Sequence, residues 1–296
     1  MGSTKWILSA MAVGLAFSAG AREGENARER ERDAPERNTF LPDDRGEANL
    51  ELPRYSKVVR VGHGCTGSLV WRNLVLTAAH CIDHLFQDVW NPATQVFEKR
   101  QVRSALVYSK YRAGLYRDYA YASKITLNPE YLRGIGNTNG VDWAILHLDK
   151  NLGDDVGYFD FLLDLPTQSA FNNFVNLAGY SSDRENGSIL STHEGCRVRW
   201  HEADDRVYHD CDMARGASGG SIFKCVPDLH ETERCYVLAV NVAEYREGGE
   251  TSLHVEDATY WQHRNVGVNA RAWAPALTRL RLQYANGAPP PVTQTP

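Results

Sequence analysis

The apolar residues of this chain come in short runs, and that limits the fold more than any other feature. Between Lys57 and Val242 they read KVVRV, GSLVW, LVLTA, ALVY, WAILHL, FVNLAGY, RVRW, VYHDC, SIFKCV and YVLAVNV, many set apart by Gly, Asn, Asp or Pro. Short segments rich in β-branched and aromatic residues, punctuated by turn formers, read as strands. Many such strands with little helix make barrels or sandwiches. One helical pattern stands at the end: RAWAPALTRLRLQYA puts Trp273, Leu277, Leu280 and Tyr284 on one face, with Pro275 expected in the first turn.

With 296 residues, 43% of them hydrophobic, the chain can bury a core as one large domain or two smaller ones. A formal net charge of −5 argues against a nucleic-acid partner. Residues 1–21 read as a signal peptide, from Lys5, the apolar WILSAMAVGLAF and the small residues Ala19-Gly20-Ala21. That run is short for a membrane span, so none is expected in the mature protein, which should be secreted, extracellular or periplasmic. Residues 22–52 are dense in charge and poor in large apolar residues, and read as a disordered linker or pro-segment. Residues 286–296 form a Pro-rich tail.

In an oxidising compartment, six cysteines suggest three disulfides. Their positions fall into local pairs, Cys65 with Cys81, Cys196 with Cys211 and Cys225 with Cys235. A competing reading takes His193-x-x-Cys196 and His209-x-Cys211 as mixed zinc ligands.

The stretch DCDMARGASGGSIF sets Ser218 between glycines. A serine is a weak nucleophile until a base, an orienting acid and oxyanion donors surround it. LVLTAAHC ends an apolar strand at His80, and GVDWAILHLD starts one at Asp142, whose hydrophobic neighbours would keep the carboxylate from water. A tight turn at Gly216 would let the N–H groups of Gly216 and Ser218 converge as an oxyanion hole.

TAAHC, DWAIL and GASGGS, in that order, resemble the chymotrypsin-like serine proteases. NLAGYSSD and HDCDMARGASGGS resemble the bacterial, glutamyl-endopeptidase-like branch. The resemblance covers about residues 60–285. It implies an all-β fold of two six-stranded antiparallel barrels, about residues 53–155 and 156–285, with the C-terminal helix in the second. It also implies His80 as general base, Asp142 as orienting acid, Ser218 as nucleophile, and Cys65–Cys81 as the disulfide beneath the histidine. The reaction implied is hydrolysis of a protein or peptide substrate through an acyl-enzyme, without metal or cofactor, by a monomer.

The pattern departs from trypsin-type enzymes in places. They carry an aspartate before the serine, which pairs with a freshly cut N-terminus; here Ala217 stands there. RVGHG at 60–64 imitates an activation site, but a cut there would strip off a strand, so any pro-segment should end upstream, within residues 22–54. Asp212, six residues before Ser218, stands where a pocket carboxylate would select Lys or Arg at P1. Asn241 occupies the wall position where glutamate-selecting relatives typically keep a histidine, and Arg215 flanks the oxyanion loop. The enlarged region between His80 and Asp142 carries Tyr108, Tyr111, Arg112, Tyr116, Arg117, Tyr119 and Tyr121, either a recognition surface or exposed strand and loop. Asn186-Gly187-Ser188 is a glycosylation sequon.

Two other functions compete. Gly216-x-Ser218-x-Gly220 also fits the elbow of an α/β-hydrolase, with Asp228 or Asp257 and His254 or His263 as partners. That reading leaves TAAHC unexplained, and SIFKCV after the serine reads as strand where the elbow needs helix. The alternative from another class is a catalytically silent binding or adhesion module of the same fold.

Overall fold

The computed structural model describes residues 37–38, 43–62, 64–133, 140–162, 174–200, 205–227, 233–246 and 263–287. The signal peptide and nearly all of the Pro-rich tail lie outside them, as do His63, Asp228, His254 and Asp257. Twelve strands carry the architecture, in two closed antiparallel barrels. The first is built from β1 (Val58–Val61), β2 (Cys65–Trp71), β3 (Leu74–Thr77), β4 (Ala105–Ser109), β5 (Asp118–Leu127) and β6 (Ala144–Leu148). The second uses β7 (Phe174–Gly179), β8 (Ser191–Trp200), β9 (Arg206–His209), β10 (Ser221–Pro227), β11 (Glu233–Arg246) and β12 (His263–Asn269).

Both rings share one connectivity. In the first, β1 pairs β2 and β4, β2 pairs β3, β3 pairs β6, and β5 joins β6 to β4. In the second, β7 pairs β8 and β10, β8 pairs β9, β9 pairs β12, and β11 joins β12 to β10. The resemblance implied this pair of barrels, and closure removes the exposed edges an open sheet would leave. Strands β3 and β6 are buried along their whole length, which is why LVLT and AILHL read as unbroken apolar runs. By contrast β4 alternates, with Ala105 and Val107 inward and Tyr108 toward the surface.

The helix, α1 (Ala270–Ala285), begins one residue earlier than the sequence pattern suggests. Asn269 caps it, its side chain accepting from the N–H of Arg271. Pro275, the sixth residue of the helix, falls in the second turn rather than the first. It sits on the exposed face, where water meets the carbonyl that a proline leaves without a donor. Trp273 and Leu277, both fully buried, hold the helix to the core. Tyr284 then places its hydroxyl 2.8 Å from His147 Nδ1 on β6.

Two features differ from the sequence reading. The charged segment is ordered from Asp43 to Leu52: Gly46–Glu47 pair with β8, the Ala48 N–H donates to the Leu190 carbonyl, and Arg45 and Ala48 are buried. Charge density misleads there because the Arg45 guanidinium has carboxylate partners inside the fold. The enlarged region between His80 and Asp142 also carries a hairpin outside the barrel, Phe86–Asn91 with Val96–Gln101. Its tyrosines form a line of ring contacts, Tyr108–Tyr116, Tyr116–Tyr119 and Tyr119–Tyr121, at 5.0, 5.8 and 5.9 Å.

Candidate active site

The ends of two neighbouring strands bring His80 and Asp142 together. Thr77, last in β3, lies opposite Ala144, first in β6. His80 follows in a 3-10 turn over Ala79–Leu85, and Asp142 lies two residues before β6. Both carboxylate oxygens are used: Oδ1 accepts the His80 backbone N–H at 2.9 Å, and Oδ2 lies 2.7 Å from Nδ1. The carboxylate is 8% exposed and the imidazole 39%. Burial disfavours the imidazolium, but the hydrogen bond and charge of Asp142 outweigh it and hold the ring's pKa above its ordinary value. This contact fixes Nδ1–H and leaves Nε2 as the basic nitrogen.

Ser218 comes from the second barrel, on the loop between Met213–Ala214 and β10. Thr66, on β2, is the hub that docks this loop onto the first barrel. Its N–H donates to the Ser218 carbonyl at 2.9 Å, and its hydroxyl donates to the Gly216 carbonyl at 2.8 Å. That hydroxyl also accepts the Tyr180 N–H at 2.9 Å, while the Thr66 carbonyl accepts from the Thr77 hydroxyl at 2.7 Å. The Cys65–Cys81 disulfide lies beneath: Cys81 Sγ is 3.9 Å from His80 Nε2 and 3.6 Å from the Ser218 carbonyl oxygen. One sulfur thus lies against both the basic nitrogen of His80 and the backbone of Ser218.

The loop's N–H groups divide in two. Ala217 donates to Ala214, Gly219 to Asn241 and Gly220 to Ala217, at 3.1, 2.7 and 2.9 Å. Among the described residues, the N–H groups of Gly216 and Ser218 have no acceptor. Gly216 has φ +96°, and a Cβ there would come within 2.5 Å of the Tyr180 carbonyl oxygen. Only glycine suits that backbone.

Asp212 lies at the foot of the loop, its side chain 1% exposed. Oδ2 accepts the Asp44 N–H at 3.0 Å and lies 3.2 Å from His193 Nδ1, which also takes the Asp212 N–H at 2.9 Å. Burial opposes protonation of His193, but the Asp212 carboxylate outweighs it and raises that pKa too. Asn241 is wholly buried. Its Nδ2 donates to the Ala217 carbonyl at 3.1 Å and its Oδ1 faces His209 Nε2 at 3.1 Å, so this side chain braces the serine loop from behind. His209 is pushed down to about 4 by burial and is the neutral donor of that pair. The Arg215 side chain is exposed beside the loop.

A groove of about 590 Å³ opens beside His80 and Asp142, walled by Tyr131, Leu132, Val242 and Ala243 among others. At Val242 the β11–β12 register slips, a bulge that frees backbone beside the groove. All three local cysteine pairs are bonded. With Cys196 joined to Cys211, neither offers a thiolate, which overturns the zinc reading. Asp44, His193 and Asp212 also lie close enough to share an ion, but His193 Nδ1 already accepts a backbone N–H. Thr66, Tyr180 and the bracing role of Asn241 were invisible in sequence, since a strand threonine or asparagine carries no motif.

A family model described as trypsin matches residues 47–225, and the chain belongs to the trypsin family. Serine protease 23 from mouse is 27% identical over 183 residues, which cover 57% of this chain and 45% of that protein. The human protein of that name is 24% identical over the same shares. The chain therefore spans less than half the length of these curated relatives. Among solved structures, a Glu endopeptidase in complex with MPD superposes with a TM-score of 0.58 at 20% identity, over 83% of this chain and 100% of that one. That is a likeness of fold, the chymotrypsin-like pair of barrels.

Proposed function

We propose that the chain is a serine endopeptidase whose nucleophile is Ser218, general base His80 and orienting acid Asp142. The observation that carries this is the junction of the barrels: a carboxylate-held imidazole and a serine loop with two N–H groups left unpaired both lie against Cys81 Sγ. His80 Nε2 takes the hydroxyl proton as Ser218 Oγ attacks the scissile carbonyl, and Asp142 stabilises the imidazolium formed. The tetrahedral oxyanion is met by Gly216 N–H and Ser218 N–H. On collapse the imidazolium gives its proton to the leaving amine, and water repeats the sequence on the acyl-enzyme. An extended substrate fits the groove, where Val242–Ala243 offers strand-like backbone. Three disulfides support folding in an oxidising compartment, and so export.

Asp212 bears on P1 choice. A lysine or arginine at P1 would have to draw its carboxylate away from His193 and the Asp44 N–H, whereas the Asn241 side chain is spent on Ala217 and His209. The test is cleavage-site mapping of a diverse peptide mixture by mass spectrometry, with Ser218→Ala in parallel. Serine-dependent cuts support the protease, and their P1 residues decide the role of Asp212. No cuts from folded protein would sink the reading.

A further inference from the structure

A catalytic loop with an alanine before its serine needs some other means of being ordered. We propose that Arg45 is the positioning residue that does this, acting through Asp183, Ser182 and the Arg215 carbonyl, so that the oxyanion site forms without a freed N-terminal amine. This rests on the protease reading above.

The geometry is continuous from the clamp to the donor. Arg45 is 2% exposed at its side chain and grips Asp183, 7% exposed, with two parallel hydrogen bonds of 3.1 and 2.6 Å. Its Nε and Nη2 also bond Asp43, each at 2.9 Å, and Arg184 reaches Asp43 and the Arg45 carbonyl at 2.9 and 3.2 Å. A buried guanidinium is costly unless every face is paired, and a forked Arg–carboxylate pair permits one relative placement. That placement fixes the turn carrying Asp183. The next residue back, Ser182, donates its N–H to the Arg215 carbonyl at 2.7 Å.

The Arg215 carbonyl and the Gly216 N–H belong to one peptide group. In a trans peptide these point in opposite directions, so holding the carbonyl on Ser182 aims the N–H the other way. The same turn backs Gly216, where an added Cβ would meet Tyr180 O at 2.5 Å and Ser182 N at 3.6 Å. A second tether comes from the same segment, the Asp44 N–H on Asp212, at the start of the loop. Upstream, the Arg37–Asn38 backbone pairs antiparallel with Met213–Ala214. Arg37–Asn38 and Asp44 thus meet the chain at 212–214 just before the serine loop, and the Arg45 side chain, rather than a terminal amine, reaches the Arg215 carbonyl through Asp183 and Ser182.

The test uses the full exported chain and three variants, Arg45→Met, Arg45→Lys and Asp183→Asn. Their readouts are kcat and KM on one short peptide, the rate at which a fluorophosphonate labels Ser218, and hydrogen exchange across 180–184 and 213–220. Losing one oxyanion donor costs about 10²–10³ in kcat. Arg45→Met is expected to lose about that much while KM moves less, with faster exchange in both segments at a temperature where the barrels stay folded. Arg45→Lys should recover part of the loss. If Arg45→Met does not fold, the other two variants carry the same comparison. Folded variants with unchanged kcat and exchange would overturn the proposal, as would a parent that reacts only after its N-terminus has been trimmed below Arg45. A parent inert to the fluorophosphonate whose variants still exchange faster would sink the protease reading and leave the clamp standing.

Discussion

Each barrel contributes one histidine–aspartate pair, and the two are built for opposite ends. His80–Asp142 closes to 2.7 Å with its ring 39% exposed over the groove. His193–Asp212 lies at 3.2 Å with both side chains nearly covered, 11% and 1%, under the segment that carries Asp44. In both, the carboxylate wins over burial and raises the histidine's pKa. The access differs, and so does Nδ1: in His80 it faces the Asp142 carboxylate as donor, whereas in His193 it accepts the Asp212 N–H. A carboxylate-held imidazole becomes a base only where its second nitrogen meets a substrate; sealed, it is a tie between segments.

The largest difference should come from the two aspartates. Asp142→Asn is expected to lower kcat by about 10⁴-fold, because the amide stabilises the wrong tautomer, and to cost about 1–3 kcal/mol of stability as the His80 N–H and ring lose a charged partner. Asp212→Asn should cost a similar amount of stability, as the Asp44 N–H and His193 lose theirs, while keeping kcat within about tenfold. Peptide hydrolysis and thermal unfolding on both variants check this. Equal losses of kcat would erase the distinction.

Next comes Gly216→Ala, which forces a side chain into φ +96° against the Tyr180 carbonyl. A loss of about 10²–10³ in kcat is expected, with both histidine pairs intact. A stopped assay with Ser218 labelling separates lost reactivity from lost folding.

The pH profile sharpens the contrast further. As the proposed base His80 would have to be neutral, so kcat/KM should rise with pH through an inflection above the ordinary histidine value near ~6.5. The stability contribution of each pair runs the other way. With the folded pKa raised, it is fully present below the unfolded value and is lost as pH rises through the folded one. Asp142→Asn should shift the kcat/KM inflection down, whereas Asp212→Asn should leave it in place and flatten only part of the stability curve.

The smallest effect is reserved for the outer tyrosines. Tyr121→Ser, on an exposed ring, should change short-peptide kcat/KM by less than about twofold, since surface changes rarely exceed ~0.5 kcal/mol. A larger change on a folded-protein substrate than on a short peptide would make that line of rings a recognition surface.

Legibility in the sequence followed the range of the interaction. The strands and the helix showed because burial patterns repeat over a few residues, and His80, Asp142 and Ser218 became candidates because each sits in a short motif. Residues that act across the fold left no local trace. Thr66 reads as one more strand residue, Asn241 as a pocket wall, and Arg45 as one charge among many until Asp183 is placed beside it, 138 residues away. The helix start at Ala270 is set by the Asn269 cap rather than by the apolar stripe, one residue before the pattern.

The most direct measurement is labelling of the folded protein with a fluorophosphonate, located by peptide mass spectrometry, in the parent, His80→Ala and Asp142→Asn. A single adduct on Ser218, slowed by orders of magnitude in both variants, is the expected result. No adduct on Ser218, or one that forms as fast without His80, would contradict the assignment of the catalytic site.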